Sequence, residues 1–246
     1  MEVKFLIEAW SAWSSSKPNR MDWEDWAAGC GARSVEDAKP DVSMVPAMKR
    51  RRMSSLSRMV FSTAVECLRE KDVEPICVFA TRHGELLRTV SIINSMAEGM
   101  HVSPTDFSLS VHNTALGLFS IFTDNKLPAT TVVAGVDTFG VALIEAAVHL
   151  HRFPDRSVLL VFFDEPIPPP LDTLQVGPAE AGSIALLLSP SPNPNVVVTR
   201  KHIKEESCKR SGEEVNLSED FLRFFLAGET KSEVETRNAL WRWSRP

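Results

Sequence analysis

The sequence lacks the features of a membrane, secreted or disulfide-bonded protein. No apolar run reaches the ~18 residues that a membrane helix needs. The start MEVKFLIEAW has a short apolar run interrupted by Glu8, which is not the pattern of a signal peptide. The four cysteines are scattered, with no C-x-x-C and no Cys/His pairing. A disulfide framework and a zinc site are therefore not expected, and a reducing cytoplasm is the expected location.

Positive charge is also scarce, because 27 basic residues face 32 acidic ones and the net charge is −5. General affinity for nucleic acid is therefore not expected, although a local basic patch stays open. Gly135 and Gly140 do not form the glycine pattern of a phosphate-binding loop, so we assign no nucleotide or other cofactor. His149 and His151 point to opposite sides of a helix, which disfavours a shared metal site, and we assign no metal.

Strand and helix patterns alternate up to residue 163. Apolar strands are predicted at 3–7, 76–80, 130–136 and 157–163, and helices at 53–68, 84–97, 111–122 and 141–151. Residues 14–47 look irregular, with Trp23 and Trp26 as anchors. The alternation predicts an α/β fold, in which a mainly parallel, five-stranded sheet is buried on both faces and covered by helices.

After residue 163 the pattern changes. Four prolines between residues 166 and 170 predict a stiff loop, and 183–188 and 195–198 predict a C-terminal pair of antiparallel strands joined by SPSPNPN. Residues 201–216 are charged and predict a solvated segment, and Leu217 to Leu226 predict a short amphipathic helix capped by Ser218. We expect one domain over 1–200, with the charged segment, short helix and aromatic tail of 201–246 packing on it.

Two segments and their order carry a family signal. SPTDFSLSVHNTALGLFSI (103–121) precedes VVAGVDTFG (132–140), which is a strand, a turn and a helix start. Together they resemble the N-terminal half of a β-ketoacyl synthase, a family with the thiolase fold. There the segments carry an Asn, then Ala-x-Gly, then a strand, the nucleophilic Cys, and a Gly three residues later. The matching positions here are Asn113, Ala115, Gly117 and Gly140. The resemblance spans residues 1–190 and is strongest to the chain-length-factor-type subunits of aryl polyene type II polyketide synthases.

The sequence departs from this family at the nucleophile. Counting back three residues from Gly140 gives Asp137. A carboxylate does not hold a growing chain as a stable thioester, for which a thiolate is the better nucleophile and leaving group. The family also takes two histidines from its C-terminal half, in His-Gly-Thr and Gly-His contexts, and none of the six histidines here has either context. The resemblance therefore implies a chain that does not catalyse condensation by itself, and Asp137 is expected to cap the helix that starts near Phe139.

The resemblance also implies a partner and a shared tunnel. In the family, the strand before the nucleophile pairs with its copy across the dimer axis, and each subunit helps to wall the tunnel of the other. The strand at 130–136 fits, because it is apolar, uncharged and β-branched, and as a free edge it would be an aggregation hazard. The implied interface residues are Thr131, Val132, Val133, Ala134, Gly135, Asn113 and Gly117, and the implied tunnel residues are His83, Leu86, Leu87, Val90, Phe107, Val111 and His112. By spacing alone, the stripe of Leu86, Leu87, Val90 and Ile93 also fits the core of the chain itself.

These features predict a chain-length-factor-like subunit that binds a full-length ketosynthase as a heterodimer and shapes its acyl tunnel in polyene (polyketide or fatty-acid-like) biosynthesis. An acyl carrier protein bearing the growing chain is the second expected partner. Its candidate docking residues are Lys49, Arg50, Arg51 and Arg52, which also fit a solvated helix start. Two alternatives remain open: a decarboxylase or acyl-binding enzyme that uses Asp137 with His112, and a stand-alone acyl-binding regulator or homodimer. Neither nucleic acid nor a membrane is an expected partner.

Overall fold

The computed structural model describes residues 1–30, 38–174, 180–203 and 216–246. Its strands are β1 (Glu2–Ser14), β2 (Ile76–Ala80), β3 (Ala129–Val132), β4 (Val158–Asp164), β5 (Gly182–Ser189), β6 (Val196–His202), β7 (Lys231–Glu235) and β8 (Ala239–Ser244). Its helices are α1 (Arg20–Ala27), α2 (Ala47–Arg50), α3 (Ser55–Cys67), α4 (Leu86–Ala97), α5 (Pro104–Ser108), α6 (Thr114–Thr123), α7 (Thr138–Arg152) and α8 (Leu217–Leu226). Among these helices, none combines the length and the apolarity that crossing a membrane demands.

The strands form one mixed sheet in the order β3-β2-β4-β5-β1-β6-β8-β7. Strand β2 pairs in parallel with β3 and with β4, and the other adjacent pairs of described strands are antiparallel. The predicted α/β class is confirmed, but the mainly parallel sheet of five strands is wrong. The predicted strand pair around SPSPNPN is also wrong, because β1 lies between β5 and β6 and pairs with both.

The length of β1 explains this difference. The prediction ended the first strand at Ile7, since Glu8 interrupts the apolar run. In the structure, the register between β1 and β5 shifts between Ile7 and Ala9, so Glu8 is the extra residue of a bulge and the strand continues to Ser14. A strand of 13 residues is long enough to pair with β6 at its start and with β5 along the rest.

Two hydrophobic cores lie on opposite faces of the sheet. Alternate residues of β2 point to opposite sides, as in any strand: Val78 belongs to the core under α7 and α8, and Phe79 to the core under α3 and α6. The sheet is thus covered by helices on both faces, which explains why β2, β4 and β5 are almost wholly buried. This burial fixes the register of the strands that lead to the candidate site.

Two smaller predictions need correction. Part of the region predicted as irregular is α1, which begins with a capping box between Asn19 and Asp22 and buries Trp23. Helix α8 has the predicted bounds, but its cap is Asn216, whose side chain accepts the Glu219 backbone N–H. The charged segment predicted at 201–216 lies mostly outside the described residues.

Candidate functional site

The candidate site is the elbow between β3 and α7, which we define as residues 133–137. The strand predicted at 130–136 ends at Val132, so the prediction was too long. Gly135 has φ +60°, a conformation that favours glycine, and it turns the chain into a short 3₁₀ turn before α7. Thr138 closes the elbow, because its Oγ1 accepts the Ala134 N–H at 2.9 Å and donates to the Gly135 carbonyl at 2.7 Å.

Asp137 is buried at the end of this elbow, with 3% of its surface exposed. It does not cap α7, because its side chain accepts no backbone N–H there, and that prediction is wrong. Its Oδ1 accepts Thr236 Oγ1 at 2.7 Å and Trp241 Nε1 at 2.8 Å, and its Oδ2 accepts Asn238 Nδ2 at 2.6 Å. All three donors belong to the C-terminal hairpin, which we define as β7, β8 and the turn between them. Three donors offset the desolvation of a buried carboxylate, so Asp137 anchors the hairpin to the elbow.

The same hairpin packs against Gly140, three residues after the nucleophile position. A Cβ on Gly140 would lie only 2.5 Å from the Trp241 ring, so no larger residue fits without moving that indole. Trp241 is fully buried and stacks against Trp243, with ring centroids 5.9 Å apart. The absence of a side chain at Gly140 therefore makes room for an aromatic ring of the hairpin.

The predicted interface residues lie on β3, in the elbow and at the start of α6. In the described part of the chain, β3 is the last strand of the sheet and pairs only with β2. Thr131, Val132, Ala134 and Gly135 are half-buried, and Val133 is 48% exposed. Asn113 and Gly117 are exposed at the start of α6, and a Cβ on Gly117 would meet open space.

The predicted tunnel residues differ in their exposure to solvent. Leu87, Phe107 and Val111 are exposed by 50%, 67% and 46%, and His112 is exposed too. Val90 is buried, although it lies one helical turn from Leu87. Of the apolar stripe on α4, only Val90 is therefore core, and the interpretation of the whole stripe as core is wrong for Leu87 and for Ile93, which is 57% exposed.

A buried carboxylate fixes the loop that leads into α4 and contains His83. Asp164 accepts Thr81 Oγ1 at 2.9 Å, the Arg82 N–H at 2.9 Å and the His83 N–H at 3.1 Å. Burial raises the pKa of Asp164, although these hydrogen bonds act in the opposite direction. Leu86, half-buried, follows as the first residue of α4. This network holds α4 at the carboxyl ends of the parallel strands.

The elbow is not joined to the other candidate acid–base group. The His112 ring packs on Gly84, where an added Cβ would lie 2.9 Å from Cδ2, and no hydrogen bond links it to Asp137 within the described ranges. A cavity of about 950 Å³ lies along β1 and α3, but none of the predicted site residues lines it. We therefore do not place the site in that cavity.

The basic segment lies away from the elbow, on α2 and the turn after it. Lys49, Arg51 and Arg52 are exposed and Arg50 is half-buried. None of the four forms an ion pair with another described residue. The patch thus keeps its positive charge available on a chain whose net charge is negative.

Sequence reasoning missed the hairpin residues Thr236 and Asn238. They are polar residues in a charged stretch, and their partner lies about a hundred positions earlier in the chain. The tail was expected to pack through its tryptophans, and both Trp241 and Trp243 are buried. A usable signal was present, since an indole N–H that is buried needs an acceptor.

Known proteins match most of this chain in sequence and fold. A family model described as the β-ketoacyl synthase N-terminal domain matches residues 23–244. The chain is 29% identical to a chain in the complex of the ketosynthase ApeO with its chain length factor ApeC from Xenorhabdus doucetiae, with a TM-score of 0.84, and the match covers 99% of this chain and 100% of that one. No curated protein sequence matches at a significant level.

Two more distant structures share the fold alone. The ishigamide ketosynthase/chain length factor is 15% identical with a TM-score of 0.67, over 81% of this chain and 67% of that chain. AntDE:AntF, a type II polyketide synthase acyl carrier protein in complex with its ketosynthase bound to the hexaketide, is 11% identical with a TM-score of 0.63, over 82% and 70%.

Proposed function

This chain belongs to the family of β-ketoacyl synthase N-terminal domains, and from that premise we propose that it is a chain-length-factor-like subunit without condensing activity of its own. It pairs with an active ketosynthase, which supplies the nucleophilic Cys and the catalytic histidines. The match to a chain of the ApeO–ApeC complex, over nearly the full length of both, supports a role beside a ketosynthase.

The observation that carries the proposal is the environment of Asp137. At this position the family's pattern has the nucleophilic thiol, which must be free to attack a thioester. Here both carboxylate oxygens are occupied by donors at 2.6 to 2.8 Å. Attack on a substrate would require breaking these buried hydrogen bonds, each of which is strengthened by the negative charge. The site therefore favours a structural role for Asp137 over decarboxylation or acyl transfer.

The edge of β3 supports a partner. Its four residues, ATTV, carry no charge, and an edge of this kind invites pairing with another strand. The two helices that contact β3 carry exposed apolar side chains: Ile121 on α6 is 72% exposed and Val148 on α7 is 53% exposed. An interface that covers this edge and the neighbouring helices falls in the range of obligate subunits, about 2,000 Å² or more.

Exposed apolar residues on α4, on α5 and in the segment between α5 and α6 support the role in chain length. Leu87, Phe107 and Val111 expose apolar surface that the fold of this chain does not cover. In the proposed complex these side chains line the far end of the partner's tunnel, where an apolar polyene fits. Lys49, Arg51 and Arg52 provide the docking surface for the acidic carrier protein that delivers the chain.

Co-expression with a full-length ketosynthase from the same genome tests the proposal. We expect a stable complex that elongates carrier-bound chains, measured by mass spectrometry, and no products when the ketosynthase nucleophile is replaced by Ala. Asp137→Cys in that inactive complex should not restore condensation. Product formation by the complex with the Ala-substituted ketosynthase, or decarboxylation by the isolated chain, would contradict the proposal. A stable homodimer that does not bind the ketosynthase would instead favour the alternative of a stand-alone acyl-binding regulator.

A further inference from the structure

Two carboxylates hold the C-terminal hairpin, one at each end. Asp137 accepts Thr236 and Asn238 in the turn and Trp241 in β8. Asp220, on α8, accepts Trp243 Nε1 at 2.7 Å and Ser232 Oγ at 3.2 Å. Each tryptophan of β8 thus has its own carboxylate, and only the one at Asp137 belongs to the elbow.

The hairpin contacts the elbow at more than one point. The Arg237 guanidinium lies 3.8 Å from the place where a Cβ on Gly135 would be, and the Trp241 ring covers Gly140. Asp137, between them, makes the hydrogen bonds. The hairpin therefore lies beside Gly135, binds Asp137 and packs on Gly140 at the start of α7.

The elbow continues directly into the open strand edge. The Asp137 N–H donates to the Ala134 carbonyl at 3.2 Å, and the Val132 carbonyl accepts the Thr81 N–H at 3.2 Å. Val133, which is exposed, lies between these two fixed points. A shift of the Asp137 side chain therefore reaches the β3 edge through a few tightly bonded residues.

Resting on the proposed function, we propose that Asp137 is a positioning residue for the partner: its carboxylate ties the C-terminal hairpin to the elbow and so fixes the β3 edge in the conformation that the ketosynthase binds. Docking of the hairpin and binding of the partner are then thermodynamically linked. A substitution at Asp137 that weakens docking of the hairpin therefore weakens the complex. In return, binding of the partner stabilises the docked hairpin.

Asp137→Ala and Asp220→Ala form the first test, with a full-length ketosynthase from the same genome as the probe. Both variants lose a carboxylate that holds one tryptophan, so both should increase amide hydrogen exchange in β8. Only Asp137→Ala should also increase exchange at 129–134 and weaken partner binding, by about tenfold, as expected when charged hydrogen bonds are lost. Equal weakening by both variants, or unchanged exchange in β8 for Asp137→Ala, would overturn the proposal.

A charge swap provides a second test that does not depend on the folding of the Ala variant. Asn238 lies at the exposed tip, so Asn238→Asp places a second carboxylate against Asp137 without disturbing the core. It should weaken partner binding by about threefold to tenfold. Adding Asp137→Asn restores one amide facing one carboxylate, and the double variant should recover most of the affinity. No recovery would overturn the proposal, since a merely structural defect is not rescued.

The proposed function and the positioning role of Asp137 can be tested separately. If the wild-type chain does not bind the ketosynthase, the proposed function fails, whatever the hairpin does. If the wild-type chain binds and the variants at Asp137 and Asn238 bind equally well, the proposed function stands and the positioning role is wrong.

Discussion

The two outer edges of the eight-stranded sheet differ in how they face solvent. At one end, β3 presents four uncharged residues, with exposed apolar side chains beside them on α6 and α7. At the other end, β7 has the sequence KSEVE, in which only Val234 is buried. Glu233 there accepts Lys231 at 2.8 Å and Arg242 at 2.6 Å, and these hydrogen bonds lower the pKa of Glu233.

The difference indicates which edge is suited to pairing with another chain. Charged residues on an edge strand oppose pairing with another chain, because pairing would desolvate the charges. β7 has this protection and β3 does not. An uncharged edge at β3 is consistent with the proposed heterodimer, in which the ketosynthase covers this edge.

The largest expected effect comes from giving the β3 edge the charge that β7 has. Val133→Lys changes an exposed residue, so the isolated chain should fold as before. In the complex, an unpaired ammonium in a buried interface costs about 3–5 kcal/mol. Binding of the ketosynthase, measured by biolayer interferometry, should therefore weaken by more than about a hundredfold.

The matched control places a Lys on the opposite edge, in place of a Glu. Glu235→Lys lies on β7, is exposed and belongs to no ion pair with a described residue. It should leave the affinity within about twofold, as is usual for surface substitutions. If both variants weaken binding equally, or neither does, the comparison of the two edges does not locate the interface.

A second prediction concerns the chain without its partner. The uncovered edge and its apolar neighbours should make the isolated chain self-associate at micromolar concentration, seen as a concentration-dependent mass in sedimentation velocity. Val133→Lys should reduce this association, and Glu235→Lys should not. A wild-type chain that sediments as a monomer and melts cooperatively would contradict the idea that β3 is unprotected.

A third prediction concerns α4. Leu87 is half exposed, so Leu87→Trp leaves the core unchanged and adds volume outside it. If this surface ends the tunnel, products should become shorter, because the added ring displaces groups of the chain at about 1–3 kcal/mol each. Val90→Ala is the control: this residue is buried, and the substitution should cost about 1–2 kcal/mol of stability without changing product length. Mass spectrometry of carrier-bound products and thermal melting distinguish the two outcomes.

The sequence allowed local elements to be predicted, but not their long-range pairing. Strand β2, strand β4 and helix α8 were placed within a residue or so, because each has its own apolar pattern. The hairpin β7–β8 was not predicted, since KSEVE in β7 has no apolar run and β8 pairs with β6, which lies far from it in the chain. The prediction for β1 was too short, because the bulge at Glu8 interrupts the simple alternation of apolar and polar residues.

Asp137 shows the same limit at the site. A residue between a strand and a helix is a sound candidate for a cap, and that interpretation uses only neighbours in sequence. The real donors are 99, 101 and 104 positions away, and together they satisfy the buried carboxylate. The resemblance to the family identified the position of Asp137, but only the fold showed which side chains bind its carboxylate.

The smallest expected effect on the two edges concerns the loss of stability in acid, which should arise at Glu180 and not at β3 or β7. Glu180 accepts Ser15 Oγ, the Ser16 N–H and Oγ, and the ammonium of Lys17 at 2.8 Å, where β1 turns towards α1. Burial opposes its ionisation, but the hydrogen bonds from Lys17 and Ser16 outweigh it and lower the pKa of Glu180 from 4.5 to about 2. Since the folded pKa is below the unfolded one, the stabilisation is complete above about pH 4.5 and is lost as the pH falls towards 2.

Glu180→Gln should therefore lower the melting temperature at pH 7, and the difference in melting temperature from wild type should disappear as the pH falls from about 4.5 to about 2. Glu24→Gln, in an exposed pair with Arg20, should show almost no gap at any pH. Because neither β3 nor β7 contributes to this pair, Val133→Lys and Glu235→Lys should leave the closing of the gap unchanged, and a shift in either variant would mean that the edges and this corner unfold as one coupled unit.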